Sequence, residues 1–243
     1  EKFWNSRDLN TSLRWFAHNA RFLPGFSGSG ATGYFLNVLG FVNRLRHFLR
    51  PNTRRISRRN IAEHYDIGNP FYEIMLGRSM AYSSAVFASP KESLDTAQER
   101  KFDLICRKLQ LKESDHLLEI GTGWGGFAAY AAKHYGCKIA TVTISEQQYL
   151  YAKEKIRKEK LGAKIDVQLR DYRTLEGSFD KIVSIEMAEA IGFRYFDTYF
   201  SACARLLKPD GLMLLQYITF PESRFEQYLR NTDFTQIYIF PGS

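Results

Sequence analysis

Over its first quarter this chain lacks one sign of charge almost completely. Between Leu9 and Ala62 there is no Asp, Glu or Lys, yet there are nine Arg (14, 21, 44, 46, 50, 54, 55, 58 and 59). The formal charge of the whole chain is +8, so this segment holds all of it and the remainder is close to neutral. The segment contains no recognisable nucleic-acid module, and nucleic acid is not expected as a partner. Cysteine is scarce: Cys106, Cys137 and Cys203 are odd in number and widely spaced, which excludes a disulfide framework or a cysteine metal site and fits a reducing cytosol. No apolar run reaches the length of a membrane span and nothing resembles a signal peptide, so a cytoplasmic protein is expected. There is no internal repeat. The first residue is Glu rather than Met, and the natural N-terminus is expected to lie further upstream.

What is present is organised around residues 117–127, Leu-Leu-Glu-Ile-Gly-Thr-Gly-Trp-Gly-Gly-Phe. An apolar run ends in a glycine cluster and a helix-forming segment follows, the order strand, tight turn, helix. Glycines let a ligand approach the main chain closely, and the helix presents unpaired N–H groups over the turn. Gly121, Gly123 and Gly126 satisfy the dinucleotide pattern G-x-G-x-x-G, but that pattern also requires an acid closing the second strand. Here the second strand ends Thr143-Ile144-Ser145, and Glu146 comes too late. The acid precedes the glycines instead, at Glu119. This E-x-G-x-G arrangement is that of Rossmann-like methyltransferases, which bind S-adenosylmethionine (SAM).

Around this unit the hydrophobic pattern predicts strands at 116–120, 138–144, 164–170, 180–186 and 211–219, with helices at about 124–135, 145–160, 189–207 and 222–230. Lys208-Pro209-Asp210-Gly211 is expected to turn the chain into the fifth strand. Helical spacing also covers Ser93 to Leu109. The alternation implies an α/β fold, a mostly parallel sheet covered on both faces. Ligands of such sheets bind beyond the carboxyl ends of the strands, which here carry Glu119, Gly121, Thr143, Arg170 to Tyr172, Glu186 to Glu189 and Gln216 to Ile218. Two domains are expected. Residues 1–62 form a basic, aromatic-rich segment with a linker near 25–33 and an amphipathic helix over 34–50, and residues 63–243 form the catalytic domain. The Arg residues flanking the apolar stripe of 34–50 suggest a contact with an anionic membrane surface, which makes the protein peripherally membrane-associated.

Six ordered motifs carry a resemblance: Tyr-Ser-Ser-Ala-Val-Phe (82–87), Glu-Ile-Gly-Thr-Gly-Trp-Gly (119–125), Thr-Ile-Ser-Glu-Gln-Gln (143–148), Asp-Tyr-Arg (171–173), Ser-Ile-Glu-Met-Ala-Glu-Ala-Ile-Gly (184–192) and Tyr-Ile-Phe-Pro-Gly (238–242). From about Arg54 onward the chain resembles cyclopropane-fatty-acyl-phospholipid synthases and mycolic acid cyclopropane synthases. The resemblance implies a class I SAM-dependent methyltransferase fold with an N-terminal helical appendage. It also implies transfer of the SAM methyl to the double bond of an unsaturated phospholipid acyl chain. Tyr82, Ser83, Glu119, Gly121, Gly123, Thr143, Gln148, Asp171 and Tyr172 are then expected at the cofactor. Gln148 stands in for the missing acid as ribose partner, and Ser145 is a natural helix cap.

The same resemblance implies a bicarbonate ion as base, held by Cys, Glu, His and Tyr side chains and a backbone group. The Glu position falls on Glu189, the Cys position on Ser84, the His position on Gln216 and the backbone contact on Ile218; no metal is implied. Ser84 and Gln216 depart from the pattern, which leaves the product open between a cyclopropane and a methyl branch. The family's tyrosine ligand and two further strands would follow Ser243, so a C-terminal segment is expected beyond it. A homodimer is left open. Two rival functions remain at this level, an amine N-methyltransferase and a non-catalytic SAM- or lipid-binding homologue.

Overall fold

A computed structural model of the chain describes residues 8–19, 69–219 and 222. The linker, the amphipathic helix over 34–50, most of the Arg cluster and nearly all of the helix expected at 222–230 lie outside the described residues. The order is α1 (Leu9–Asn19), α2 (Asn69–Leu76), α3 (Leu94–Lys108), β1 (His116–Ile120), α4 (Gly126–Tyr135), β2 (Lys138–Thr143), α5 (Glu146–Lys158), β3 (Ile165–Leu169), β4 (Phe179–Ile185), α6 (Phe196–Leu206) and β5 (Leu207–Gln216). The early helix α1, in a stretch where none is expected, starts at Asp8, whose carboxylate accepts from the Thr11 backbone N–H and hydroxyl at 3.1 and 2.6 Å.

Alternation of apolar side chains builds the sheet. In β1, Leu117 joins one buried cluster, with Phe102, Phe127 and Ile139, while Leu118 and Ile120 join another, with Val142, Tyr199 and Leu206. In β4, Val183 and Ile182 divide in the same way. A strand apolar on both faces must be covered on both, which is the parallel-sheet pattern. Helices α3, α4 and α5 supply one cover and α6 the other. Each fully buried Leu or Ile contributes about 1.5–3 kcal/mol. The strand order is β3-β2-β1-β4-β5, all parallel, as expected for a Rossmann-like methyltransferase.

Two expectations are corrected. The helix placed at 189–207 is two short 3-10 turns, Ala188–Ala190 and Phe193–Tyr195, followed by α6 from Phe196. Gly192 sits between them at φ +84°, a conformation that breaks helical continuity. The Lys208–Gly211 stretch lies inside β5 rather than before it. Phe179 pairs with Leu207 and Lys181 with Leu212, so the stretch bulges out of the ladder and the strand starts earlier than its apolar run.

Candidate active site

The floor of the site is the β1–α4 turn. Gly121 has φ +101°, an angle L side chains rarely adopt, and a Cβ there would lie 3.1 Å from Met187, which would have to give way by a few tenths of an ångström. The amides of Gly121 and Thr122 both donate to the Val142 carbonyl of β2, at 3.0 and 3.1 Å, which fixes the turn. Glu119, 2 % exposed, accepts from the Thr141 hydroxyl at 2.6 Å; that hydroxyl also lies 2.8 Å from Thr122 Oγ1. Burial pushes the Glu119 carboxyl up to about 8, with the Thr141 hydroxyl pulling the other way. At the end of β2, the Thr143 hydroxyl donates to Gln148 Oε1 at 2.8 Å, and Ser145 caps α5 by accepting from the Gln148 amide at 3.3 Å. Asp171 is buried and grips Arg173 through both carboxylate oxygens. Beside it, burial raises the Tyr172 hydroxyl to about 12.

One wall is the 77–84 segment, docked by close approach. A Cβ at Gly126 would lie 2.3 Å from the Ser79 carbonyl, so the third motif glycine serves this docking. Trp124, 1 % exposed, packs with its ring tilted against Tyr72 of α2 and donates its indole N–H to Asn69 at 2.9 Å. From α3, Gln98 donates to the Ser83 carbonyl at 2.8 Å. The buried Lys101 donates to the Ser83 hydroxyl. Burial lowers the Lys101 ammonium to about 8, and the charge of Glu186 opposes that shift.

The opposite end joins segments far apart in sequence. The Ser84 amide and hydroxyl donate to Glu186 Oε1 at 2.9 and 2.8 Å, and Gln216 Nε2 donates to the same oxygen at 2.8 Å. Glu189 stands nearby with a different partner: its Oε1 accepts from the Ile218 amide at 2.6 Å. Glu189 Oε2 is buried and makes no hydrogen bond among the described residues. Burial raises the Glu189 carboxyl, the Ile218 amide lowers it, and the charge of Glu186 adds to the rise. Ser84 and Gln216 therefore meet Glu186, and Glu189 meets Ile218.

Both ends open into one cavity of about 690 Å³. Every residue expected at the cofactor lines it, as do Ser84, Glu189 and Ile218; Gln216 reaches it through Ser84 and Glu186. The floor fits SAM: a buried carboxylate precedes a glycine turn, and a Cβ on Gly123 would meet nothing within 4 Å, so that backbone faces open space. The wall residues Met75, Met80, Trp124, Phe127, Ile185, Met187 and Ile191 are apolar. Sequence reasoning placed Glu186 at a strand end of the site without giving it a role, and missed Lys101 and Trp124. Those two carry no signal beyond a helical and a turn position.

The family described as mycolic acid cyclopropane synthetase matches residues 52–243. A probable fatty acid methyltransferase of Pseudomonas putida is 37% identical over 195 residues, covering 79% of this chain and 50% of its own. The cyclopropane-fatty-acyl-phospholipid synthase of Escherichia coli K12 is 43% identical over 156 residues, 64% of this chain and 40% of its own. The chain thus spans about half the length, or less, of these curated relatives. Among solved structures, mycolic acid cyclopropane synthase CmaA1 complexed with SAH and CTAB superposes with a TM-score of 0.70 at 30% identity, covering 76% of this chain and 68% of that one.

Proposed function

Since this chain belongs to the mycolic acid cyclopropane synthetase family, we propose that it methylates the double bond of an unsaturated acyl chain in a membrane phospholipid, using SAM. The observation that carries this reading is that the glycine turn and the Glu186–Glu189 region share one apolar-walled cavity. SAM supplies an electrophilic methyl group, and the alkene is itself the nucleophile, so no side chain has to be activated as one. The protein's tasks are to position, to exclude water and to accept a proton.

Glu119 and the amide end of Gln148 are suited to the ribose hydroxyls, since Gln148 Oε1 is already committed to Thr143. Gly121 and Gly123 let the amino-acid portion approach the backbone. Apolar walls keep water from a cationic centre on the acyl chain, and the ring of Tyr195, which lines the cavity, can face such a centre. At the rim, Met75 and Ile218 line the cavity while remaining 43% and 69% exposed, and Ile74 beside Met75 is 88% exposed. Exposed apolar side chains around an apolar opening suit entry of a lipid tail. The relatives' names divide between a fatty acid methyltransferase and a cyclopropane synthase, and the product here is a ring or a branch accordingly.

The test is label transfer by the full-length protein from methyl-labelled SAM, offered unsaturated phospholipid vesicles and, separately, a panel of small amines. Label in extracted acyl chains is expected. Label in amines alone would replace this reading with N-methylation, and none in either would leave a binding protein.

A further inference from the structure

We propose that Glu186 is the base of this reaction, a carboxylate of the chain itself seated on the donors where a bound bicarbonate was expected. The inference rests on the acyl-methylation reading. Three donors converge on Glu186 Oε1: the Ser84 amide, the Ser84 hydroxyl and Gln216 Nε2, at 2.9, 2.8 and 2.8 Å. The positions assigned to an anion are therefore already satisfied by an anion. Oε2, which makes no hydrogen bond among the described residues, is the oxygen left to take a proton, and Glu186 lines the cavity.

The backbone is a second, independent observation. Glu186 has φ +48°, a left-handed conformation that costs a non-glycine residue free energy and is kept where surrounding structure or function imposes it. Here the Glu186 amide is held by the Gln216 carbonyl at 2.7 Å. Glycine would adopt this angle freely, yet the chain places a carboxylate there. Behind the cluster, the buried Lys101 is bonded to Ser83, adjoining Ser84, and its charge is coupled to that of Glu186. Glu189 is the weaker candidate, since burial, with the charge of Glu186 adding to it, disfavours its ionised form.

Once the alkene carbon has gained the methyl, the neighbouring carbon is cationic. A C–H bond of the transferred methyl then breaks, either directly or after a hydride has shifted from the methyl-bearing carbon to its neighbour and left the cation on the former. Its electron pair closes the ring or forms a new double bond, and the proton moves to Glu186 Oε2, giving the neutral acid. The balance needs no oxidant or reductant. A branched product formed this way is unsaturated.

The test uses the full-length protein, with Glu186→Gly, whose residue suits the angle, and Glu186→Gln, which fills the same space without a basic oxygen. Carbon-13 NMR of labelled bicarbonate, without lipid, should show no saturable binding to the parent and binding to Glu186→Gly. Turnover of the parent should not change when dissolved carbon dioxide is removed. Both variants should lose about 10²-fold or more, the scale of acid–base assistance. Bicarbonate or formate should restore part of the loss in Glu186→Gly and none in Glu186→Gln. A parent that is active only with bicarbonate, or full turnover by Glu186→Gln, would overturn the assignment. A parent that labels no acyl chain under any condition would overturn the reading beneath it, and the two failures are told apart by that acyl label.

Discussion

The two ends of the cavity are assembled by different means. At the floor, Glu119, Gly121 and Gly123 lie within one short stretch, and their geometry follows from the end of β1, a glycine turn and the start of α4. At the end proposed to react, Ser84 and Glu186 are 102 residues apart and Ser84 and Gln216 are 132 apart; they meet because β4 and β5 are sheet neighbours and α3 docks the 77–84 segment beside them. The floor is a local motif that the fold merely presents. The other end exists only in the folded chain, so single substitutions there can change the chemistry while the cofactor site stays as it was.

The largest effect should come from the floor. Gly121→Val sets a branched side chain against Met187 at an angle it rarely adopts, and SAM binding should fall below detection by calorimetry in a variant that still folds. Near-parental affinity would dissolve the contrast, since the turn would then not be the cofactor's seat. At the other end, Glu186→Gln should leave SAM affinity intact and lower turnover by about 10²-fold. An equal loss of SAM affinity would merge the two ends into one unit.

A smaller effect sharpens the comparison through pH. The Glu119 carboxyl is raised in the folded chain from its ordinary 4.5 to about 8, so its neutral form is favoured there. Its contribution to the stability of the cofactor-free protein is therefore fully present below 4.5 and lost as pH rises through about 8. Ribose hydroxyls would donate to the ionised form, so SAM binding near neutrality should release a proton, seen as a dependence of the calorimetric heat on buffer ionisation. Glu119→Gln should abolish that release and weaken SAM by about tenfold, the loss of one charged hydrogen bond. Unchanged proton release would remove Glu119 from the cofactor. The smallest effect on either end belongs to the Arg cluster. Changing Arg54, Arg55, Arg58 and Arg59 to Gln should leave SAM affinity unaltered while weakening co-sedimentation with anionic vesicles, by on the order of 1 kcal/mol per Arg held near the surface. Equal vesicle binding by variant and parent would make the cluster a solvated face.

The same division governs what the sequence reveals. Strands β1 to β4 match their apolar runs to within a residue or so, because a buried parallel strand must be apolar on both faces. The residues that the resemblance placed at the cofactor all line one cavity, and the Ser145 cap on α5 follows from local sequence alone. Errors arose where geometry outweighs pattern: Gly192 interrupts the segment before α6, and the bulge at Lys208–Gly211 continues β5 through residues that read as a turn. The pairing of Glu186 with Ser84 and Gln216 has no local trace, since it depends on strand order and on a loop fixed by Gln98 and Lys101. The resemblance assigned the carboxylate to Glu189, three residues away on a 3-10 turn, whose partner in the structure is Ile218.

One measurement addresses the central claim, that a methyl group moves from the floor of this cavity to an acyl chain at its other end. The full-length protein is incubated with methyl-deuterated SAM and vesicles of unsaturated phospholipid, and the hydrolysed acyl chains are examined by mass spectrometry. The expected acyl chain is heavier by the transferred carbon, which keeps all but one of its deuterons when the proton given up comes from the methyl itself. Acyl chains of unchanged mass, with SAM consumed and deuterium found only in an amine, would contradict the claim.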